Sequence, residues 1–443
     1  MKFISRIFRL EENHSSVSTE LGAGLTTFLT MSYIIFVQPQ VLGAAGMDKG
    51  AVFTATCLAS ALACFIMGLA ANYPIAQAPL MGENFFFAYT VVLGMGLPWQ
   101  KALGLVFLSG LLFLLLTLTK IRETLVNSVP DSLKYAIASG IGLFITLIGM
   151  KEAGIVAADP STLVKLGPVT SPPVLLALAG FALTAVLSAR KVNGAILIGL
   201  LSCALAGQAL GVTRFTGVFS APPSLAPTFM QLDLSGLLTW DSVSVVLIFL
   251  FMTVFDTLGT LVGVGVRAGL MKDGKLPRAS RAMVSDAVAT TAGALLGTST
   301  VSSYIESATG VAQGGRTGLT AVAVGFLFLL SLFFSPLVEG VSGAVMLSEG
   351  TVIHPVTAPA LMLVGVFMMD SLRRINWDDF TELLPAFLVL TIIPFTFNIA
   401  DGIAAGFIAY PLLKAFSGKR REVSVISWVL GAVFLARFAF LEQ

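Results

Sequence analysis

The sequence predicts an all-α polytopic membrane protein of fourteen transmembrane segments in a 7+7 inverted repeat. Three observations carry that expectation. Of 443 residues, 56% are hydrophobic and 11% are charged, with a mean hydropathy of +0.92, whereas a soluble domain carries about 25% charged residues. The apolar runs recur at the roughly 20-residue length that a bilayer core demands of a helix. Lysine and arginine fall on one side when those runs are threaded through a membrane.

Residues 1–19, with Lys2, Arg6, Arg9, Glu11 and Glu12, read as an amphipathic cytoplasmic lead-in. No small-residue cleavage site follows it, so a removable signal peptide is not expected. The first seven-span repeat occupies 20–211, with spans near 20–38, 50–72, 74–93, 100–119, 131–150, 173–189 and 192–211. An extracytoplasmic connector covers 212–240. The second repeat, 241–416, has spans near 241–265, 279–297, 299–314, 317–336, 355–370, 383–397 and 401–416. The tail 417–443 contains the apolar but short stretch 424–441, read as an interfacial helix rather than a fifteenth span. Spans 3 and 10 are too polar and interrupted for continuous helices, so half-helices joined by short extended segments are expected there. With the N-terminus inside, twenty of the 26 Lys and Arg residues fall in inner loops, Lys120, Arg122, Lys272 and Lys275 among them. Only Lys49, Lys101, Lys151, Lys165 and Arg214 fall outside, and Arg437 is unassigned. Both termini are therefore expected in the cytoplasm, and the protein in the plasma (inner) membrane.

The halves also repeat in sequence. Glu83 and Glu306 stand 223 residues apart, as do Gly142-Leu-Phe144 and Gly365-Val-Phe367. Gly110-Leu-Leu-Phe-Leu-Leu115 matches Gly325-Phe-Leu-Phe-Leu-Leu330 at an offset of 215. Seven spans per copy is an odd number, which forces the second copy to enter from the opposite side.

Three acids stand at membrane depth: Glu83 in Pro79-Leu-Met-Gly-Glu-Asn-Phe85, Asp256 in Phe251-Met-Thr-Val-Phe-Asp256, and Glu306 in Ser302-Ser-Tyr-Ile-Glu-Ser307. An ionised group there costs several kcal/mol or more unless it faces a partner or a water-filled cavity, which makes it a candidate for function. Glycine- or proline-interrupted segments in corresponding halves mark the binding site of a secondary transporter. Asn84 supplies an amide that donates and accepts at once. Ser302, Ser303 and Tyr304 add hydroxyls beside Glu306, and Phe85, Phe86 and Phe87 could stack on a flat ring, against the more common role of packing. Thr26, Thr27 and Thr30 line the first span, where bonding back to their own helix is an equal alternative.

Other polar residues take plainer readings. Cys57, Cys64 and Cys203 lack metal or disulfide spacing and are expected to pack. His14 and His354 are far apart and form no metal set. Asp286 is expected near the cytoplasmic end of its span, capping or pairing locally. Asp401 is expected to cap a helix start, and Trp377-Asp-Asp379 to form a solvated inner loop. Gly259-Thr-Leu-Val-Gly-Val-Gly265 suggests close helix packing, since no strand precedes it and no Lys follows. No nucleophile–base pair or nucleotide signature occurs, which argues against an enzyme; the net charge of +2 says nothing about nucleic acid, because the charges lie between the apolar runs, and no nucleic-acid partner is expected.

Several segments resemble the AzgA-like purine permeases of the nucleobase–ascorbate transporter family. They are Glu20-Leu-Gly-Ala-Gly-Leu-Thr-Thr-Phe-Leu-Thr-Met31, Ala45-Gly-Met-Asp-Lys-Gly-Ala51, Ala71-Asn-Tyr-Pro74, Phe255-Asp-Thr-Leu-Gly-Thr260, Thr298-Ser-Thr300, Tyr304-Ile-Glu-Ser307, Gly314-Gly-Arg-Thr-Gly318 and Ile399-Ala-Asp-Gly402. The resemblance implies a core domain from spans 1–4 and 8–11, a gate domain from spans 5–7 and 12–14, and often a homodimer. It also implies proton-coupled purine uptake, with Asn84, Asp256 and Glu306 recognising the substrate. That family's third span reads close to Ala-Pro-Gly-Met-Gly-Leu-Asn-Ala-Phe-Phe-Ala, and Leu80, Glu83 and Phe85 depart from it here. The departures point to a narrower pocket or a more cationic ligand.

The expectation is a symporter driven by the proton gradient, with no cofactor and with sodium left open as the ion. Glu306 and Asn84 would hold a purine's edge, and Asp256 would bond the ligand or carry the proton with Glu306. Glu83, Phe85, Ser303, Tyr304 and Thr30 complete the candidate substrate site, with no catalytic or metal-ligating residue. The competing readings are a transporter of another heterocycle, such as a pyrimidine or vitamin-like compound, and an anion exchanger or channel on the same fold.

Overall fold

A computed structural model describes residues 2–119, 129–213, 217–237, 239–271, 276–347 and 350–441. Lys120, Arg122, Arg214, Lys272 and Lys275, assigned to loops above, lie outside the described residues, as does the side chain of Arg437.

The chain is mostly helical, and among the described residues eight helical stretches are long and apolar enough to cross a membrane, two of which, Val17–Ala44 and Gly318–Val341, join more than one of the helices below. Helix α1 (Lys2–Phe8) leads to Leu10, and Phe8 and Leu10 both pack on Leu319. The first predicted span, 20–38, lies within one longer candidate span, Val17–Ala44, built from two helices, α2 (Val17–Met31) and α3 (Ile34–Ala44). Ser32 and Tyr33 keep right-handed dihedrals (φ −63° and −55°), but the next amides bond three residues back. The interruption is therefore a tightened turn, and Pro39 further weakens the ladder by offering no N–H. Helix α4 (Lys49–Ile66) starts on the Asp48 carboxylate, which accepts the Ala51 N–H at 2.7 Å. A wide π turn then carries the chain to Asn72, which takes a left-handed conformation at φ 51°.

After the short strand β1 (Gln77–Pro79) comes α5 (Met81–Phe85), prolonged in π turns to Gly94. Helices α6 (Trp99–Leu118) and α7 (Asp131–Glu152) follow, then the hairpin β2 (Val156–Asp159) and β3 (Leu163–Leu166). Helices α8 (Pro172–Ala189) and α9 (Ala195–Ala209) complete this half. The second half opens with α10 (Trp240–Arg267) and α11 (Ala279–Leu296). Strand β4 (Val301–Ser303), α12 (Ser307–Ala312), α13 (Gly318–Ser331) and α14 (Ser335–Val341) come next. Past the two-residue strands β5 (Val345–Met346) and β6 (Val352–Ile353), the chain ends in α15 (Ala358–Met368), α16 (Phe380–Thr396), α17 (Ile399–Phe416) and α18 (Val425–Leu441). Large apolar side chains such as Leu115, Leu205, Phe395 and Phe416 face outward, as a hydrocarbon surround requires and water would not favour.

Helix α13 packs on α2 and α4, α11 on α4 and α6, and α12 on α2. Elsewhere α15 and α16 pack on α7, α17 on α16, and α18 on α17 and α10. Small residues permit the closest crossings. A Cβ on Gly318 would lie 2.0 Å from the Gly68 carbonyl oxygen. Gly318→Ala should therefore cost about 1–3 kcal/mol by overpacking, read as a lower melting temperature of the purified protein. An unchanged melting temperature would refute this contact.

Buried polar caps fix the ends of these helices. Glu20 accepts the Arg316 N–H at 3.0 Å and the Thr317 N–H at 3.2 Å, and Asn72 accepts the Gly318 N–H at 2.7 Å. All three serve the start of α13, where helical N–H groups lack internal partners. At α17, Asn398 accepts the amides of Ala400 and Asp401. The expected Asp401 cap is thus corrected, because Asn398 stands at the non-helical position from which a side chain reaches those N–H groups. Asp379 caps α16 and also accepts from Lys414 and Lys419, so the 377–379 loop is tied down by ions rather than merely solvated. Those hydrogen bonds hold the Asp379 carboxyl well below the usual carboxylate range. Lys414, 1% exposed, also reaches Glu382 and Glu422. The three cysteines are free and buried.

Candidate functional site

The two interrupted segments meet in the middle of the molecule. Strands β1 and β4 pair antiparallel with Gln77 opposite Ser303, Ala78 opposite Ser302 and Pro79 opposite Val301. The ladder extends by Leu80 N–H to the Thr300 carbonyl at 3.0 Å and Tyr304 N–H to the Ala76 carbonyl at 2.9 Å. The extended backbone thereby satisfies itself across the two halves, which interior chain at membrane depth must do. Glu83 lies four residues beyond β1 and Glu306 three beyond β4, so the pairing brings both acids to one region.

Asp286 anchors this junction. It is fully buried on α11 and accepts hydrogen bonds from Thr257 Oγ1 at 2.6 Å, Ser302 Oγ at 2.8 Å and Ser303 Oγ at 2.9 Å. Gln77 Nε2 donates to it as well. The expectation of a local partner near the span's end is corrected. Asp286 lies in the third turn of α11, and its four partners come from three other segments. The sequence carried a hint, since Gln77, Ser302 and Ser303 are polar groups in apolar runs that need a buried acceptor.

The other candidates fall into two groups. Asn84 is buried, with its carbonyl oxygen taken by Ser299 Oγ and its amide 3.9 Å from Met81 Sδ. Ser299 is held in turn by Gln38 Nε2 at 3.0 Å. Ser303 is bound to Asp286, and the Tyr304 hydroxyl donates to the Pro79 carbonyl. Phe85, Phe86 and Phe87 are fully buried. Phe85 stacks on Tyr89 at 5.5 Å and meets Phe144 edge-on, and Phe144 in turn meets Phe397. Thr30 Oγ1 bonds back to the Thr26 carbonyl at 2.8 Å and touches Thr309 Oγ1 at 3.2 Å. In this conformation these groups are engaged with other parts of the protein.

Asp256 and Glu306 differ in being reachable by solvent. Asp256 is densely surrounded by protein yet accessible, and Glu306 is partly accessible. The Glu306 carboxylate accepts the Tyr33 hydroxyl at 3.1 Å. Helix α5, which carries Glu83, and the segment from β4 to α12, which carries Glu306, both pack against α10, which carries Asp256. Accessible positions Asp256, Gly259, Val262 and Val266 then run along one face of α10 toward Arg267. The close packing expected of 259–265 is corrected at its first glycine, because a Cβ on Gly259 would meet no atom within 4 Å. Gly263 faces Ile305, itself exposed. Across this strip, Lys134 Nζ of α7 stands 5.5 Å above the Phe255 ring. A separate cavity of ≈ 250 Å³, lined by Pro39, Lys49, Phe53, Pro223 and Glu339, includes none of Glu83, Asp256 and Glu306.

Accessible carboxyls beside paired, interrupted segments, inside a multi-pass integral membrane protein, define a membrane permease rather than an enzyme. Residues 18–405 match the model of a permease family, Xan_ur_permease. The chain belongs to the nucleobase–ascorbate transporter family. It is 45% identical to the adenine permease AdeQ of Escherichia coli (strain K12), over 99% of this chain and 97% of that one. It is 48% identical to the guanine/hypoxanthine permease PbuG of Bacillus subtilis (strain 168), over 98% and 99%. The fold also matches the transmembrane domain of the cyanobacterial bicarbonate transporter BicA, with a TM-score of 0.64 and 14% identity over 88% of this chain and 97% of that one.

Proposed function

We propose that this protein is a secondary active transporter coupling proton entry to uptake of a purine nucleobase. The observation that carries the reading is that Asp256 and Glu306 are both accessible and sit on segments that pack against each other, α10 and the stretch from β4 to α12. Among the described residues no ion pair reaches Glu83, Asp256 or Glu306. Unpaired acids in such a place take up protons or polar ligands, since a bare charge is costly there. The purine assignment draws support from full-length relatives described as adenine and guanine/hypoxanthine permeases.

In this reading Glu306 accepts from a ring N–H and Asn84 serves the neighbouring carbonyl or amine once freed from Ser299. Asp256 carries the proton or bonds the ligand, with Tyr304 and Thr30 at the margin. The fourteen spans form a 7+7 inverted repeat, whose core and gate groups rock about the site to alternate access. Both termini face the cytoplasm across the inner membrane, and the unit pairs as a homodimer. The fold shared with a bicarbonate transporter raises an anion as the second reading. The accessible carboxyls of Asp256 and Glu306 weigh against it, since like charges repel.

The test is initial uptake of radiolabelled adenine, guanine, hypoxanthine and uracil by cells expressing the full chain. A purine should be accumulated, and a protonophore should reduce its initial rate at least severalfold. Uptake indifferent to the protonophore but dependent on sodium would replace the coupling ion. Competition by sulfate but not by any purine would replace the substrate class.

A further inference from the structure

The first helix takes no part in the site, yet its surface is built for a partner. Helix α1 is 7 residues long, about 10 Å at the rise of a helix. It cannot cross a bilayer core, which takes roughly 20 residues. At the helical period Phe3, Ile4, Ile7 and Phe8 share one arc, and Ser5 and Arg6 fall on the other. Phe8 turns into the protein and packs with Leu10 on Leu319. Phe3, Ile4 and Ile7 stay outside, 76%, 38% and 47% exposed. Water does not favour three large apolar groups gathered on so short a helix.

The helix is not a loose arm. The Phe8 carbonyl accepts Asn72 Nδ2 at 3.0 Å, and Asn72 Oδ1 accepts the Gly318 N–H at 2.7 Å. This chain of bonds fixes α1 to the end of the π turn after α4 and to the start of α13. Arg9, at φ 53°, then turns the chain out of the helix.

Two features of the surface say what covers the exposed arc. It continues the outward apolar surface of the spans: Leu69, three residues before Asn72, is 63% exposed, and Leu21 and Leu25 of α2 are 48% and 47% exposed. The charge beside it is basic. The helix holds Lys2 and Arg6 and no acid, and Arg9 follows; Arg6 and Arg9 are both exposed. Glu11 and Glu12 come after the turn, and the Arg9–Glu12 pair, 3.7 Å apart with side chains 65% and 69% exposed, is of the kind that binds weakly. We propose that α1 is an interfacial anchor seated in a layer of anionic phospholipid headgroups. Phe3, Ile4 and Ile7 dip among the upper acyl carbons, and Arg6 and Arg9 meet the lipid phosphates. Through Phe8 and Asn72 the anchor fixes the depth of α2, α4 and α13 in the bilayer. With the N-terminus inside, as in the reading above, this layer is the cytoplasmic leaflet.

The experiment places a nitroxide label on Phe3→Cys, Ile7→Cys or Arg6→Cys in the otherwise native full chain, whose own thiols are buried. The protein is reconstituted in liposomes of phosphatidylcholine, with or without phosphatidylglycerol. Collision rates with oxygen and with a water-soluble nickel chelate report the depth of each label. Labels at 3 and 7 should favour oxygen, at a depth of about 5–10 Å, and the label at 6 should favour nickel. Adding Arg6→Gln to the chain labelled at 7 should lower the ratio of immersed to free label roughly fivefold in anionic liposomes, the weight of one basic residue at such a surface. In neutral liposomes the same change should have little effect. Equal nickel access at all three positions would overturn the anchor, and an Arg6→Gln variant without effect in anionic liposomes would overturn its lipid. Dipolar broadening between labels at position 3 would assign the arc to a second copy of the chain instead. Should a labelled variant fail to fold, Ile4→Cys, on the same arc, replaces it. Purine uptake is not read, so failure of the transport reading leaves these outcomes intact, and nickel chelate confined to one side tests the leaflet separately.

Discussion

Glu306→Gln should lower purine uptake by roughly ten- to a hundredfold, the span that loss of a hydrogen bond to a charged group gives. The carboxyl is partly accessible, and Tyr33 donates to it at 3.1 Å. The glutamine keeps a carbonyl oxygen for Tyr33, so the local hydrogen bond and the β1–β4 pairing survive. What is lost is the charge, and with it the acceptor offered to a ring N–H. The deficit should therefore fall on substrate affinity and rate, with the amount and melting temperature of the protein close to native. Tyr33→Phe should produce a smaller defect, because it removes a positioning bond and leaves the charge. Uptake assays with matched protein amounts check both. Full uptake by Glu306→Gln would remove this residue from the site.

Asp286→Ala should have the largest structural effect of any single change at the junction. It would leave the donors of Thr257, Ser302, Ser303 and Gln77 without their buried acceptor. Breaking a buried polar cluster by removing one partner costs about 3–5 kcal/mol, a large fraction of the stability of an ordinary domain. The expected result is little or no monodisperse protein after detergent extraction. Asp286→Asn keeps one acceptor oxygen and should be intermediate in melting temperature. A well-folded Asp286→Ala variant with native stability would show that the junction is held by other contacts.

These two acids also mark what the sequence makes legible. The apolar runs and their caps announce most helices, because burial periodicity and end chemistry are local properties. The interruption of span 10 was likewise visible in its polar, glycine-rich run, and the strand pairing of 77–79 with 301–303 gives it a physical form. The turn at Ser32–Tyr33 was hidden, since both residues remain helical and no glycine marks it. Side-chain partners were harder still. Asp286 looked local in sequence, yet its partners come from residues 77, 257, 302 and 303. Asn84 and Ser303 looked free, but a buried polar group finds the nearest complementary atom in space. The three membrane acids also looked alike. Only the packing separates buried Glu83 from accessible Asp256.

The account depends on the strip beside Asp256 being wet and being the place where the substrate sits. Gly259 is suited to test it, because it is accessible, has open space at its Cβ and lies one turn from Asp256. The native thiols of Cys57, Cys64 and Cys203 are buried, so Gly259→Cys in the otherwise native chain gives a readable signal. A hydrophilic thiol reagent should modify this cysteine, and saturating adenine or guanine should slow the modification several-fold. A cysteine that never reacts, as one facing lipid would not, or one whose reaction is indifferent to every purine, would contradict the account.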